Sequence, residues 1–580
     1  MKAWLQPPRA LILVLVVALL SLGGAVVVLG GDGVRDQAAG GRSADVGDGS
    51  LVTSPGSAST TTSTTLPVGK PTTMQQWQAL WKNERDAVVS KIKVGGYGIA
   101  KDGQSALISE GYTIDLSKCP AGWNNTEGLT DTEIKIGHTN LMSGIRILAS
   151  RGQSATGWKL YLDQVNKNGI RDSAGKTRTF NLIIKDDEYD ASRTIPLVDE
   201  MIDTEQVFAM VTSSSHTTMR TYDKLNARCI PQPIVMSGHP AWGDPINHPW
   251  TTGEQMALHT EGLLWGAFIE ERAEELKKVD GKITVAAIVT LNDFGYAYDR
   301  GFRAWLAQSP IKDDVEYVTE IHEVDSPTIV YDHMEKVASK NPEVFIGMTA
   351  GVICTQWVGM AEQYGLKEKV SYLFQPSVCK SNTFMGKDKV GGDGMASDGW
   401  WVVGGGVKEM ESAAFDTDPW VKQARELLSA NGIDWKTNPT FFTGAARWGW
   451  TTEQIFLIAS QLDGGLTRVN LMVALRNLDM TAPFLLDGAK FNLNGIKDAY
   501  LTEASEFAVY EASSQSFQQR GKVFDVSGTS PNCVWSQQDG RYPGQFNGQC
   551  VELAGWPTDL LLSPTPSVAP FTDLAHHPTG

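Results

Sequence analysis

Between Asp131 and Asp190 the spacing of apolar residues changes twice. Ile134 and Ile136 mark a short apolar strand, and the segment NLMSG interrupts it. Ala155, Trp158, Leu162 and Val165 then recur at three- and four-residue intervals, which puts them on one face of a helix. Asn168-Gly169 is a pair that tolerates positive φ and ends that helix. FNLIIK follows as a second buried strand. Strand, helix and strand make a βαβ unit, whose product is a parallel sheet. Ligands bind beyond the carboxyl ends of such strands, so the NLMSG loop, including Ser143, and its equivalents are the places to look for function.

The same alternation recurs downstream. A helix is expected near 191–205, with Ile195, Val198 and Ile202 in phase, followed by the strand VFAMVT. The loop SSSHTT opens into a helix, PIVMSGHPAW is a strand and loop, and residues 254–278 read as a long helix on Met256, Thr260, Leu263 and Ala267. A second series begins at KITVAAIVT and runs through a helix around Phe302–Leu306, the strand VEYVTEI, a helix near 327–340 and the strand VFIGM. Ile353, Trp357, Met360 and Tyr364 mark the next helix, before the strands VSYLFQP and WWVV. Helices near 418–430, 442–463 and 467–477 and a late strand FAVYEA complete the pattern. Two α/β series of similar length predict two lobes, and a cleft between lobes is a favoured ligand site.

The flanks read differently. Lys2 and Arg9 precede an apolar run from Ala10 to about Gly31, long enough for a bilayer, which needs about 20 residues. Residues 1–31 are thus a signal peptide or an N-terminal membrane anchor. The run continues through VVVLGG, which favours the anchor, and the positive residues ahead of it place the remainder of the chain outside. Residues 32–72, rich in Gly, Ser and Thr, lack the apolar content for a core and read as a flexible tether. Residues 73–130 form an N-terminal extension whose first helix presents Trp77, Leu80, Trp81 and Val88 for packing on the main body. Residues 526–552 are a loop-like segment with two cysteines, and residues 553–580 a Pro-rich tail.

Composition narrows the partners. At 580 residues the chain holds two sizeable cores. Its net charge of −16 argues against nucleic acid or an anionic membrane surface as the main partner. The six cysteines show no CxxC pair or Cys/His cluster, so no zinc site is indicated. An even count after an export signal favours disulfides. Cys533 with Cys550 is the best pair; Cys354 and Cys379 each follow a predicted strand, which leaves Cys119 with Cys229. The alternative is buried free thiols.

Candidate chemistry clusters at strand ends. Ser213, Ser214 and Ser215 follow VFAMVT, and hydroxyls with backbone N–H groups there suit a carboxylate; plain helix capping is the alternative. Ser237, Gly238 and His239 occupy the next such loop, and His216 stands beside the serines. In LNDFGYAYD, Phe294 and Tyr296 offer rings to an apolar ligand part, with one of them expected to pack beneath the loop. MTAG, with Thr349, is the equivalent loop one strand on. Asp186 and Asp187 resemble a catalytic pair, but an acidic strand end is more often a helix-capping or solvated turn. VVGGGVKE lacks full GxGxxG spacing, and GxSxG, HExxH, P-loop and EF-hand patterns do not occur.

The order of IKIG, MSG, YLDQVNKNGI, FNLIIKDDEYDASR, LVDEMI and VFAMVTSSS resembles the opening of type I periplasmic binding proteins, in particular the branched-chain amino acid (Leu/Ile/Val)-binding receptors of ABC transporters. VAAIVTLNDFGYAYDRGF is similar to that family's second-lobe start, and FTGAARWGWTTEQIFLIASQLDGGLTRVNLMVALRNL to its late helix pair. The resemblance implies an α/β fold of two Rossmann-like lobes with parallel sheets, joined by three crossovers around an inter-lobe cleft that closes by hinge motion. It places residues 131–256 and about 399–485 in the first lobe, and 257–398 and about 486–525 in the second. It assigns the ligand carboxylate to Ser213, Ser214 and Ser215, a lining role to Ser237, Gly238 and His239, and the aromatic-glycine element to Phe294-Gly295. Two positions depart from the family pattern: Arg151 stands where a ring is usual, and SGHP introduces a histidine. An arginine in the cleft suits an anionic group; one pointing to solvent is the alternative. The expected function is that of an exported, membrane-anchored solute-binding protein. It takes an amino acid, amide or small organic anion to an ABC permease, with no cofactor and no catalysis. The alternatives are a membrane-tethered sensor of the same fold and a secreted hydrolase using Asp186 or His239.

Overall fold

The computed structural model describes residues 69–143, 151–323, 330–495 and 499–526, together with the backbone of Trp535–Ser536 and Gln545–Phe546. The expected βαβ unit stands at the centre of the first lobe. Strand Glu133–Asn140 pairs in parallel with Thr177–Asp186 on one side and Ala209–Thr212 on the other. The helix between them, Arg151–Val165, buries Ala155, Trp158 and Leu162. Gly169, at φ +67°, turns the chain back after that helix. A bridge from Ser213 to Met236 leads to strand Gln232–Val235, which pairs with Thr251–Gly253.

The second lobe holds one sheet of seven strands, in the order Val315–His322, Ile283–Thr290, Val344–Met348, Tyr372–Gln375, Trp401–Val403, Ala504–Glu511 and Ser516–Asp525. The first five run parallel, and Ala504–Glu511 pairs antiparallel with both Trp401–Val403 and Ser516–Asp525, so this sheet is mixed where a parallel one is expected. Strand Ser516–Asp525 carries Gln518, Gln519, Arg520, Gly521 and Lys522; without an apolar run it gives no strand signal in sequence. Trp401–Val403 belongs to this sheet, so these residues of the WWVV segment lie with the second lobe and not, as the sequence boundary near 399 places them, with the first. Conversely, Phe491–Asn492 pairs with Asp479–Met480 and stays with the first lobe's core, beyond the boundary near 486.

Helix ends move for local reasons. The helix expected at 254–278 begins at Leu258 and breaks after Glu271, and Ala273–Leu276 forms a separate turn. The helix expected near Phe302–Leu306 runs from Asp293 to Gln308, because the Asn292 side chain caps it by accepting from the Gly295 N–H at 3.1 Å. The segment 442–463 opens as a π-helix, Thr443–Trp448, before the α-helix Gly449–Ser460.

The N-terminal extension is part of the first lobe's core. Helix Met74–Gly95 buries Trp77, Trp81, Val88 and Ile92. Trp81 meets Trp450 edge-on at 5.5 Å and donates its indole N–H to the Thr481 carbonyl at 3.0 Å. The disulfide Cys119–Cys229 ties the extension to the lobe across 110 residues, and Cys354–Cys379 closes a second link within the other lobe. Cys533 and Cys550 lie outside the described residues, as does the apolar run from Ala10 to Gly31 with its reading as signal peptide or anchor. Among the described residues no helix is long and apolar enough to cross a membrane.

Two buried contacts yield tests. Where the π-helix crosses Arg151–Val165, a Cβ on Gly444 meets the Ser154 carbonyl oxygen at 1.7 Å and one on Gly157 meets the Phe441 carbonyl oxygen at 2.2 Å. Gly444→Ala is therefore expected to cost about 2–3 kcal/mol of stability, read as a lower denaturation midpoint; an unchanged midpoint contradicts this packing. Glu261, fully buried, accepts from the Ser377 N–H at 2.9 Å, the Ser377 hydroxyl at 2.6 Å and the Tyr298 hydroxyl at 3.3 Å. Burial pushes its carboxyl up to about 8 from 4.5 despite those bonds. Between those values the folded chain holds a proton that the unfolded chain releases, so stability falls as pH rises through that window. Glu261→Gln is expected to flatten that decline, by at most about 1.4 kcal/mol per pH unit; a wild-type slope in the variant rules the assignment out.

Candidate functional site

The carboxyl ends of the parallel strands in both lobes face one cleft of about 260 Å³. From the first lobe come Ser213, Ser214 and Ser215 after strand Ala209–Thr212, and Met236, Ser237 and Gly238 after Gln232–Val235. From the second come Phe294, Ala350, Gly351, Ser377, Lys380 and Ser381. The crossover segments supply Gln255 and Met256, then Val407, Lys408, Glu409 and Glu411, and the helical segment of the first lobe adds Thr440, Thr443, Arg447 and Trp448.

The serine wall is tightly organised. Ser214 adopts φ +75°, a left-handed backbone that a serine enters at a cost, and its hydroxyl pairs with that of Thr217 at 2.9 Å. The Ser215 and Ser237 hydroxyls meet at 2.8 Å, joining two loops. Gly238 is needed for close approach, since a Cβ there meets the Met256 carbonyl oxygen at 2.8 Å on the crossover.

Charge concentrates where the chain passes between lobes. The Arg447 guanidinium pairs through Nε with Glu254, which is 1% exposed. Burial raises the Glu254 carboxyl, and Arg447 opposes that rise. Lys380 pairs with Glu506 at 2.5 Å and donates to the Val407 carbonyl at 3.2 Å; burial works against its charge, but Glu506 and Glu409 hold its ammonium above the ordinary range. Lys408 pairs with Asp418 at 2.8 Å. Glu409 is pushed up to about 8, by burial first and then by Glu411. The GGG run explains itself here: a Cβ on Gly404 meets a Glu506 carboxylate oxygen at 1.8 Å, and the Gly406 N–H donates to Glu506 at 2.9 Å. The run is a crossover packed on a buried carboxylate, not a phosphate loop.

Of the residues singled out in sequence, Ser213, Ser214, Ser215, Ser237, Gly238 and Phe294 line the cleft. His239 is buried behind it, where its Nδ1 accepts from the Ala241 N–H at 3.1 Å and burial lowers the imidazole to about 4. Gly295 packs under its own loop and Tyr296 in the second lobe's core. Thr349 is buried one residue before the lining pair Ala350-Gly351. The exposed Ser143 donates to Asp186. Asp186 also accepts from the Met142 N–H at 2.9 Å, and Asp187 takes the Tyr189 N–H at 3.0 Å and the Thr194 hydroxyl at 3.1 Å. Both aspartates thus fix loops, and neither lines the cleft beside His239. The Arg151 side chain lies outside the described residues; one turn on, Ser154 reaches the cleft. His216 faces Asp293 at 3.5 Å. Sequence reading missed Lys380, Glu409, Glu411 and Arg447. The first three follow the strands VSYLFQ and WWVV, so the strand-end rule that found the serines points to them as well. Among the described residues no group of three His, Cys, Asp or Glu side chains is placed to hold a metal.

Residues 133–401 match the family described as periplasmic binding protein. None of the curated proteins compared with the chain matches it in sequence. Among solved structures, a branched chain amino acid ABC transporter from Thermus thermophilus with bound valine is 15% identical at a TM-score of 0.56, over 68% of this chain and 97% of that one. A fatty acid ABC transporter substrate-binding protein from Thermomonospora curvata is 15% identical at 0.55, over 70% and 96%. A solute binding protein of an ABC transporter from Rhodopseudomonas palustris BisB5, in complex with 3,4-dihydroxy benzoic acid, is 16% identical at 0.53, over 69% and 98%. The family is one of solute-binding proteins, not enzymes, and it implies export from the cytoplasm. Residues 133–401 thus match the periplasmic binding protein family, and the body of this chain has the fold of the leucine/isoleucine/valine-type substrate-binding proteins of ABC transporters.

Proposed function

We propose that the chain captures a small polar or amino-acid-like solute between its lobes and delivers it, enclosed, to an ABC-type permease, with residues 1–31 serving as export signal or anchor. One observation carries this reading: a cleft of about 260 Å³ that draws hydroxyls, charges and rings from both lobes and the crossovers. That volume lies just below the usual range of ligand pockets, roughly 300–1,000 Å³, and fits a compact solute. A bound molecule touching both walls favours the closed arrangement by its difference in affinity between the two states.

Contacts across the cleft support the hinge. Asp293, at the start of the second lobe's helix, faces Arg220 of the first lobe at 3.3 Å and His216 at 3.5 Å. The Asn292 side-chain amide donates to the Tyr189 hydroxyl at 3.3 Å, and the Thr383 and Thr440 hydroxyls meet at 3.3 Å. These bonds form only with the lobes together.

Two outcomes are expected. A thermal-shift screen of residues 66–580 against amino acids, their amides and small organic acids should find a solute that raises the melting temperature; no stabilisation by any of them sinks the transport reading. Asp293→Ala should weaken that solute's binding by roughly fivefold or more in calorimetry, by removing an inter-lobe contact the closed state uses. Equal affinity would mean that Asp293 plays no part in closure.

A further inference from the structure

The serine wall suits a ligand carboxylate, yet two of its hydroxyls are engaged. Ser214 pairs with Thr217 and Ser215 with Ser237. The lysines of the cleft each already hold a carboxylate and a carbonyl: Lys380 has Glu506 and the Val407 carbonyl, Lys408 has Asp418 and the Pro483 carbonyl. Arg447 differs. It lines the cleft, and among the described residues its only ion pair and hydrogen bond run through Nε to Glu254, leaving Nη1 and Nη2 without partners. A guanidinium held through Nε keeps its end-on pair of N–H groups parallel, the geometry that takes a carboxylate in two hydrogen bonds. The π-helix Thr443–Trp448, a distortion frequent at functional sites, carries Thr443, Arg447 and Trp448 into the same wall. Gly444 and Gly157 hold it against the neighbouring helix.

We infer that Arg447 recognises the anionic end of the ligand, that the ligand presents a carboxylate there, and that Glu254 is the positioning residue that aims the guanidinium. This rests on the solute-binding reading and goes beyond it by naming the group recognised and the residue that reads it. Glu254 is fully buried at the start of the first crossover, and among the described residues its second carboxylate oxygen has no hydrogen-bond partner. A single carboxylate oxygen thus fixes Arg447, and the bond links the recognising group directly to a segment that joins the lobes.

The test compares each acid with its neutral isostere. The full chain is titrated calorimetrically with L-valine and L-valinamide, 3,4-dihydroxybenzoate and 3,4-dihydroxybenzamide, and octanoate and octanamide. At least one acid is expected to bind about tenfold or more tightly than its amide. Arg447→Gln should abolish that preference, Arg447→Lys should retain part of it, and Glu254→Gln should reduce it while the variant still melts cooperatively. The acid-to-amide ratio is the readout that a merely structural role leaves unmoved. If acid and amide bind alike, or if the preference survives in Arg447→Gln, the inference fails and solute binding stands. If no member of the panel binds, acid or amide, both fall.

Discussion

Three carboxylates and their cations, buried where the chain passes between lobes, are what the rest of the molecule depends on. Glu254 takes Arg447 at the first passage; Asp418 takes Lys408 at the second; Glu506, where the chain re-enters the second lobe, takes Lys380 and the Gly406 N–H. Removing such charges from water is costly, and the cost is offset only when each has a close partner. Breaking one pair leaves an uncompensated charge in the crossovers themselves, so the pairs restrict the routes the chain can take between the lobes. Gly404 follows from this, since the Glu506 carboxylate leaves no room for a Cβ there.

That constraint also shapes the site. Both sheets direct their strand ends into the same cleft, the usual consequence of parallel pairing. The lobes supply hydroxyls, rings, Lys380 and Arg447; the crossovers supply Lys408, Glu409 and Glu411. In the proposed closure, a ligand that touches a crossover residue acts directly on the segment joining the lobes, which needs no long-range relay. The N-terminal extension is tied into the first lobe's core through Trp77 and Trp81 and through the disulfide to Cys229.

The sequence reveals the fold wherever hydrophobic period and strand ends coincide. The βαβ unit, the SSS loop and the Phe294 turn are legible because each joins an apolar strand to a polar break. Ser516–Asp525 is not, because an antiparallel edge strand with glutamines and lysine on it has no buried run to show. His239 misleads because a polar residue at a strand end reads as lining, whereas here its ring faces inward to cap Pro240–Gly243. Arg447 escapes notice because it lies inside a helical run, on a π-turn that packs Gly444 against Ser154, and its guanidinium is held by Glu254, far away in sequence. Cleft residues on helices depend on packing that spacing alone does not encode.

The most direct measurement is a crystal structure of the protein with a solute that stabilises it. The account predicts density for that solute between the lobes, in contact with Ser213–Ser215 or Arg447 on one wall and with Ser377 or Lys380 on the other. A solute bound elsewhere on the body, with this cleft unfilled, would contradict it.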